Sequence, residues 1–592
     1  MLIDCVLLCW LFRHGHEFLK MLLKQLFCWI HGYPKIIPNF SNDLHALSSS
    51  RALFLSHKKD QKTGNCVSFN HNHVIKEWIQ PKGFDTGIKV SNHYASLGTR
   101  RNRVLVPLIV QNPDEITWYA CGPTVYDEAH IGHASSYVRF DTIKRILTNF
   151  FNFRVKMVMG MTNVDDKIIA RAQLLGKEFL ALADFFETRF QKDMSSLNVA
   201  QPFRYMRVSD HILEMIKFIE VLLESGNAYI TDDGNVWFDT ENFTKVGRLI
   251  SYNEEYDSGE SMPGLKITTK SRKDFALWKV AKPGEPYWDA PWGKGRPGWH
   301  LECSTMASLV FGNEVDIHSG GRDLCFPHHE CELLQSEAYH KCNQWVNYFF
   351  HSGDLKITKS SAKMSKSLGN VITISEFLQS WSSDVFRYAV LSLPWHADVV
   401  YDSSEFHAVS CQLENIENLF HKCHLYLHGN FNANINDSMV TKLVASSQDE
   451  IHKHFCNDFD TPSVLNSLEK IVREVEVMFA DEDTQTPVRE VKCIKDMVHF
   501  LSQSFENLGF VNLTSYKLVQ AAGSSIDKVF QSWVDYRYEI RKLALDNIKS
   551  PNQSVKKLAK ETLSKCDGIR KDLAEQNFRV VDGKDHSTFY KN

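Results

Sequence analysis

Strand, helix and strand can be read within about 45 residues of this chain, and that order restricts the fold strongly. The apolar run Ile116-Thr117-Trp118-Tyr119-Ala120 leads into the turn Cys121-Gly122-Pro123-Thr124. From Ala134 to Phe151, Tyr137, Val138, Phe140, Ile143, Ile146, Leu147 and Phe150 recur at helical spacing, and Val155 to Met161 reads as a buried strand. A strand–helix–strand unit of this size joins parallel strands, so the expected class is α/β. The pattern resumes with Phe311 to Ile317 as a strand, Pro327 to His340 as a helix and Val346 to Phe350 as a strand.

Around this core the sequence divides further. Trp78 to Val110 reads as an irregular lead-in with short strands, and Asp165 to about Leu222 as helices. Asn235 to Asp239 and Gly247 to Lys270 read as an inserted subdomain with a loop, and the chain from about Ser403 onward is almost entirely helical in period. A chain of 592 residues has room for about three or four domains. The net charge of -4 excludes a protein basic throughout, but from Arg537 to Asn592 there are 13 Lys or Arg against 8 Asp or Glu. That end can present a local basic face to RNA; a solvated helix face is the alternative. Fourteen cysteines without a C-x-x-C fit a reducing compartment rather than a disulfide scaffold. No apolar run reaches the roughly 18 to 20 residues of a membrane helix. The first 75 residues are hydrophobic and basic with few acids, the character of an organelle presequence. A secretory signal is the rival reading; Asp4 and the lack of a leading basic residue count against it, and Met21 is a second candidate start.

Three groups of residues carry chemistry. His130 and His133 share a face at the start of a helix, where unpaired N–H groups and the dipole favour phosphate, and Gly132 between them lets a ligand approach the backbone. Lys363 and Lys366 lie in a Ser- and Gly-containing loop and suit a leaving pyrophosphate. Cys121, Cys303, His328 and Glu332 are four donors of the kinds that hold Zn²⁺, with His328 and Glu332 on one helix face. Their spacing matches no common zinc motif. From the residues alone, free buried cysteines are the default reading.

His130-Ile-Gly-His133 has the HIGH pattern and Lys363-Met-Ser-Lys-Ser367 the KMSKS pattern; in this order they resemble the ATP site of class I aminoacyl-tRNA synthetases. Cys121-Gly-Pro-Thr-Val-Tyr-Asp127, Gly295-Arg-Pro-Gly-Trp-His-Leu-Glu-Cys303 and Phe326-Pro-His-His-Glu-Cys-Glu332 resemble the hallmark blocks of cysteinyl-tRNA synthetases. Asp458-Phe-Asp-Thr-Pro462 and Asp567-Gly-Ile-Arg-Lys-Asp-Leu573 resemble later blocks, so the likeness runs from about Trp78 to the C-terminus. The lead-in, with Asp85-Thr-Gly87 and Ser91-Asn92, looks closer to the mitochondrial branch.

The resemblance implies a Rossmann-type catalytic domain with an insertion, then a helical bundle and a small C-terminal domain. The expected segments are a presequence and lead (1–75), a first catalytic half (76–172), an inserted connective subdomain (173–295), a second catalytic half (296–345), a KMSKS-loop domain (346–402), a helical bundle (403–530) and an anticodon-side element (531–592). The implied reaction loads L-cysteine onto tRNA(Cys) through cysteinyl-adenylate, with Mg²⁺ accompanying ATP. One Zn²⁺ held by Cys121, Cys303, His328 and Glu332 would recognise the substrate sulfur, with Gly122, Thr162, Trp299 and His328 lining the amino-acid pocket. His130, His133 and Lys366 would bind ATP, and Lys363 would act with them. The protein is expected to be a monomer of the mitochondrial matrix, the cytoplasm being the alternative. Two other functions fit the same fold: a ligase joining cysteine to a small amine, and an inactive RNA-binding homologue. The chain departs from the family pattern at Asn163, Ala170, Arg322, Cys331 and Phe589. Ala170 stands where a second lysine is common, and a persulfide-forming side activity with pyridoxal phosphate finds no support in the sequence.

Overall fold

The computed structural model describes residues 78–94, 104–243, 247–249, 269–357, 371–429, 433–480, 491–513, 525–575, 578–582 and 587–591. The presequence reading of residues 1–75 and the lysines Lys363 and Lys366 lie outside the described residues.

The lead-in forms an antiparallel pair, β1 (Phe84–Ser91) with β2 (Leu105–Val110). Then come β3 (Ile116–Thr124), α1 (Ile131–Arg145) and β4 (Val155–Thr162), followed by α2 (Asp166–Leu175), α3 (Phe179–Ser196), β5 (Arg204–Arg207) and α4 (Ile212–Glu224). An insertion of short strands follows: β6 (Ala228–Ile230), β7 (Val236–Phe238), β8 (Phe275–Val280), β9 (Trp288–Ala290) and β10 (Gly293–Pro297). They form an antiparallel sheet in the order β6-β7-β8-β10-β9. The chain then returns through α5 (Trp299–Phe311), β11 (Val315–Gly321), α6 (Glu330–His340) and β12 (Val346–Ser352).

The central sheet has the order β12-β11-β3-β4-β5, and every neighbouring pair is parallel. Chain order therefore runs outward from β3 in both directions. The reversal falls between β3 and β11, and in open α/β sheets ligands bind in the crevice beyond the carboxyl ends at such a point. Strand β3 is covered on both faces, which explains its almost unbroken apolar run. On one side Trp118 meets Phe140 of α1 and Phe350 of β12 edge-on. On the other, Tyr119 stacks on His318 of β11 at 5.4 Å between ring centroids.

The region read as wholly helical contains one strand. Arg204–Arg207 pairs with β4 at the sheet edge. Its sequence, Arg-Tyr-Met-Arg, buries only Met206 and turns its arginines outward, so it carries neither an apolar run nor a helical period. The helix expected from Pro327 is also shorter. Phe326 is extended (φ -147, ψ 132), the chain passes through a wide turn at Cys325–His329, and regular helix begins at Glu330. The insertion is tied to α6 by buried charge: Glu330 accepts from the backbone N–H groups of Gly247 and Leu249, and Arg248 pairs with Glu337 at 2.7 Å.

Beyond the sheet, β13 (Leu355–Ile357) pairs with β14 (Val399–Tyr401), with α7 (Ile374–Ser380) and α8 (Ser383–Leu391) between them. The bundle consists of α9 (Ser403–Leu427), α10 (Asp437–Phe455), α11 (Thr461–Ala480) and α12 (Val491–Asn507). Leu419, Leu468 and Leu501 are completely buried within it, each contributing about 1.5–3 kcal/mol by leaving water. The C-terminal part is α13 (Ser525–Asn547), α14 (Gln553–Glu575) and an antiparallel hairpin, β15 (Phe578–Asp582) with β16 (Ser587–Lys591). Arg387 of α8 joins bundle to sheet. It is buried, pairs with Asp141 of α1 at 2.9 Å, and donates to the carbonyls of Leu197, Asn198 and Leu508.

Candidate active site and metal centre

The turn after β3 places His130 at the N-cap of α1. Its Nδ1 accepts from the Gly132 N–H at 3.1 Å, while the His130 N–H donates to His133 Nδ1 at 3.3 Å. The two rings stack with centroids 3.8 Å apart. Two imidazoles are thus held together at the N-terminus of the helix, where the dipole favours an anion. Lys363 and Lys366 lie outside the described residues; the chain that resumes at Val371 returns to this turn. The Ile131 N–H donates to the Ile372 carbonyl at 3.0 Å, and the Ile374 N–H to the Ala129 carbonyl at 3.2 Å.

Cys121, Cys303, His328 and Glu332 come together, all four buried. The sulfurs of Cys121 and Cys303 are 3.6 Å apart, Cys121 Sγ is 3.4 Å from Glu332 Oε1, and that oxygen is 2.9 Å from His328 Nε2. Around a tetrahedral zinc with ordinary bond lengths, such donors stand about 3.3 to 3.8 Å apart. The donor set therefore fits the metal in kind and closely in size. The Cys121 hydrogen bond, with help from His328, brings the Cys303 thiol down to about 6 against the opposing effect of burial. Burial pulls His328 down, but Glu332 and Cys303 outweigh it and lift the imidazole to about 10. Burial raises Glu332, yet His318 and His328 hold its carboxyl well below the usual range. Burial raises the Cys121 thiol well above its ordinary value.

The pocket residues expected from the sequence border this cluster. Gly122 follows Cys121, and a Cβ on it would stand 1.9 Å from the Gly160 carbonyl oxygen, so β3 and β4 can approach here only at glycine. Thr162, at the end of β4, donates to Glu302 Oε2 at 3.1 Å. Trp299 opens α5 and stacks on His328 at 4.4 Å between centroids.

Several neighbours escaped the sequence reading. His318 Nε2 lies 3.7 Å from Cys121 Sγ and 3.3 Å from Glu332 Oε2, and a second donor set, Cys121, His318, His329 and Glu332, overlaps the first. His300 Nδ1 sits 3.1 Å from His328 Nδ1. Buried Glu302 has a carboxyl pushed well up, chiefly by burial. The available signal was a polar residue inside an apolar element: His318 in Val315-Asp-Ile-His318, and His300 and Glu302 in the first turn of α5.

Two departures from the family pattern have partners here. Asn163 turns toward the chain after β5, donating to Ser209 Oγ at 2.8 Å and accepting from the Ser209 N–H at 3.0 Å. Arg322 pairs with Asp398 at 2.7 Å and donates to the His396 carbonyl, linking the end of β11 to the segment before β14.

Residues 108–411 match the family model for the tRNA synthetases class I (C) catalytic domain. A probable mitochondrial cysteine–tRNA ligase of Xenopus tropicalis is 38% identical over 531 residues, covering 86% of this chain and 91% of that protein. A cytoplasmic cysteine–tRNA ligase of Dictyostelium discoideum is 34% identical over 543 residues, covering 86% and 78%. In fold, the chain resembles Mycobacterium tuberculosis methionyl-tRNA synthetase in complex with methionyl-adenylate. The TM-score is 0.50 at 14% identity, over 67% of this chain and 91% of that one. With a class I catalytic domain and similarity that extends well beyond it, the chain belongs to the cysteine–tRNA ligase family of class I tRNA synthetases.

Proposed function

We propose that this chain joins L-cysteine to tRNA(Cys) by way of cysteinyl-adenylate. The observation that carries the reading is the placement of two chemistries on one β–α unit: a thiol-rich donor cluster at the end of β3 and a paired-histidine helix N-terminus directly after it. A cysteine whose sulfur is held at the cluster can direct its carboxylate toward a nucleotide phosphate at α1.

In the first step a carboxylate oxygen attacks the ATP α-phosphorus, the bond to the bridging oxygen breaks, and pyrophosphate leaves. His130 and His133 donate to phosphate oxygens as charge builds, and Lys363 and Lys366 neutralise the leaving group. In the second step a terminal ribose hydroxyl attacks the cysteinyl carbonyl and AMP leaves. The site needs no enzyme nucleophile, because positioning and charge stabilisation suffice. Mg²⁺ enters with ATP.

Cys121, Cys303, His328 and Glu332 are the residues that would hold zinc. They are preferred over the overlapping set because they offer two thiols rather than one. Zinc bound there supplies a partner that takes a thiolate far better than a hydroxyl, which separates cysteine from serine. Trp299 stacked on one face of His328, and His300 at its Nδ1, fix the ring so that Nε2 points at Glu332. The basic C-terminal helices suit the anticodon side of the tRNA. The protein works as a monomer in the mitochondrial matrix, to which residues 1–75 direct it.

Cysteine-dependent exchange of labelled pyrophosphate into ATP tests the first step. Exchange that requires cysteine supports the reading, and exchange driven equally by serine removes the proposed role of the thiol cluster.

A further inference from the structure

A second donor cluster lies on the far side of His329 from the first. His93, in the segment after β1, has Nδ1 2.9 Å from His351 Nδ1 and 3.9 Å from Cys325 Sγ. The ligand atoms of His93, Cys325 and His351 all lie within 4.8 Å of one another. Cys325 and His351 are completely buried, whereas His93 is partly exposed. The three come from separate segments, the lead-in, the turn before α6 and the end of β12, so the cluster exists only in the folded core. A tetrahedral centre with Zn–N near 2.0–2.1 Å and Zn–S near 2.3 Å places two nitrogens about 3.3 Å apart and nitrogen and sulfur about 3.6 Å apart. The two separations from His93, 2.9 Å to His351 and 3.9 Å to Cys325, lie within half an ångström of these.

We propose that His93, Cys325 and His351 form a second site for a borderline divalent cation of the zinc type, sharing no ligand with the cluster around Cys121. Two imidazoles and a thiol suit zinc or cobalt and disfavour magnesium or calcium. Three protein ligands leave one position for solvent, and His93 is the partly exposed member of the three.

The site also reaches the border of the first cluster, by one hydrogen bond and one ring contact. His351 Nε2 is 2.7 Å from His329 Nδ1, and His329 meets His318 edge-on at 4.5 Å between centroids. A cation on His351 Nδ1 leaves that ring's proton on Nε2, which then donates to His329 Nδ1. The His329 proton is thereby confined to Nε2. Occupancy of the second site thus sets the tautomer of a ring that borders the cysteine-reading centre.

The test counts bound metal in the full-length protein, stripped with chelator and then titrated with Zn²⁺ alone. Wild type should bind about two equivalents. Cys325→Ser and His93→Ala should each bind about one, as should Cys303→Ser, which acts on the other cluster. With Co²⁺ as probe, Cys325→Ser should lose part, but not all, of the sulfur-to-cobalt absorption. His93→Ala, at a partly exposed position, supplies the count if Cys325→Ser does not fold. Wild type binding one equivalent, or two equivalents retained in both Cys325→Ser and His93→Ala, overturns the second site. A loss confined to Cys303→Ser overturns it too, while leaving the first centre standing.

Discussion

Cys121 and Cys303 are separated by 182 positions in the chain and by 3.6 Å at their sulfurs. One ends the central strand of the sheet, and the other lies on the helix that returns from the insertion. Cys303→Ser should therefore lose zinc from the first centre and lower cysteine-dependent pyrophosphate exchange by about 10²-fold or more, with ATP binding nearly unchanged. Metal analysis, exchange kinetics and nucleotide titration on one preparation check this. His318→Gln, in the overlapping donor set, should retain the metal. Zinc lost from His318→Gln and kept by Cys303→Ser would reverse the assignment.

The phosphate groups act mainly as charge develops. Lys366→Ala and His133→Ala should each lower the rate of adenylate formation by about 10²- to 10³-fold with little change in cysteine affinity. Single-turnover measurements separate the two effects. An unchanged rate in either variant removes that residue from the reaction.

Arg387→Ala should be costly without touching the site. It leaves Asp141 buried with Arg145 as its ionic partner and the Ala200 N–H as a donor, and it takes the guanidinium from the carbonyls of Leu197 and Leu508 at the junction of sheet and bundle, Asn198 keeping Arg145. Losing one partner of a buried pair costs about 3–5 kcal/mol. The thermal unfolding midpoint should fall by several degrees, and a midpoint equal to wild type would show that the junction does not depend on the pair.

The β–α–β core was legible in the sequence because a parallel strand covered on both faces, such as Ile116–Thr124, must be apolar along nearly its whole length. The edge strand Arg204–Arg207 was not legible, since four residues with arginines turned outward carry no period. His328 and Glu332 announced a shared face by their spacing, and they meet at 2.9 Å. Nothing local announces that Cys121 meets Cys303, because that contact depends on how far the insertion displaces α5 before the chain returns. Only resemblance joined them in advance. His93, His300 and His318 were missed for the same reason: each is a single histidine whose meaning lies in partners from other segments.

Residues 1–75 should be necessary for mitochondrial import and dispensable for catalysis. A reporter carrying these residues should enter mitochondria, and a chain beginning near Val74 should charge tRNA at close to the full-length rate. A reporter left in the cytosol would contradict the targeting role.

The most direct measurement is charging of purified tRNA(Cys) by the zinc-loaded full-length protein with ATP and labelled cysteine. The account predicts acid-precipitable cysteinyl-tRNA that requires ATP, fails with serine and disappears in Cys303→Ser. A folded, zinc-loaded protein that makes cysteinyl-adenylate but passes cysteine only to a small amine, or that makes no adenylate at all, would contradict it.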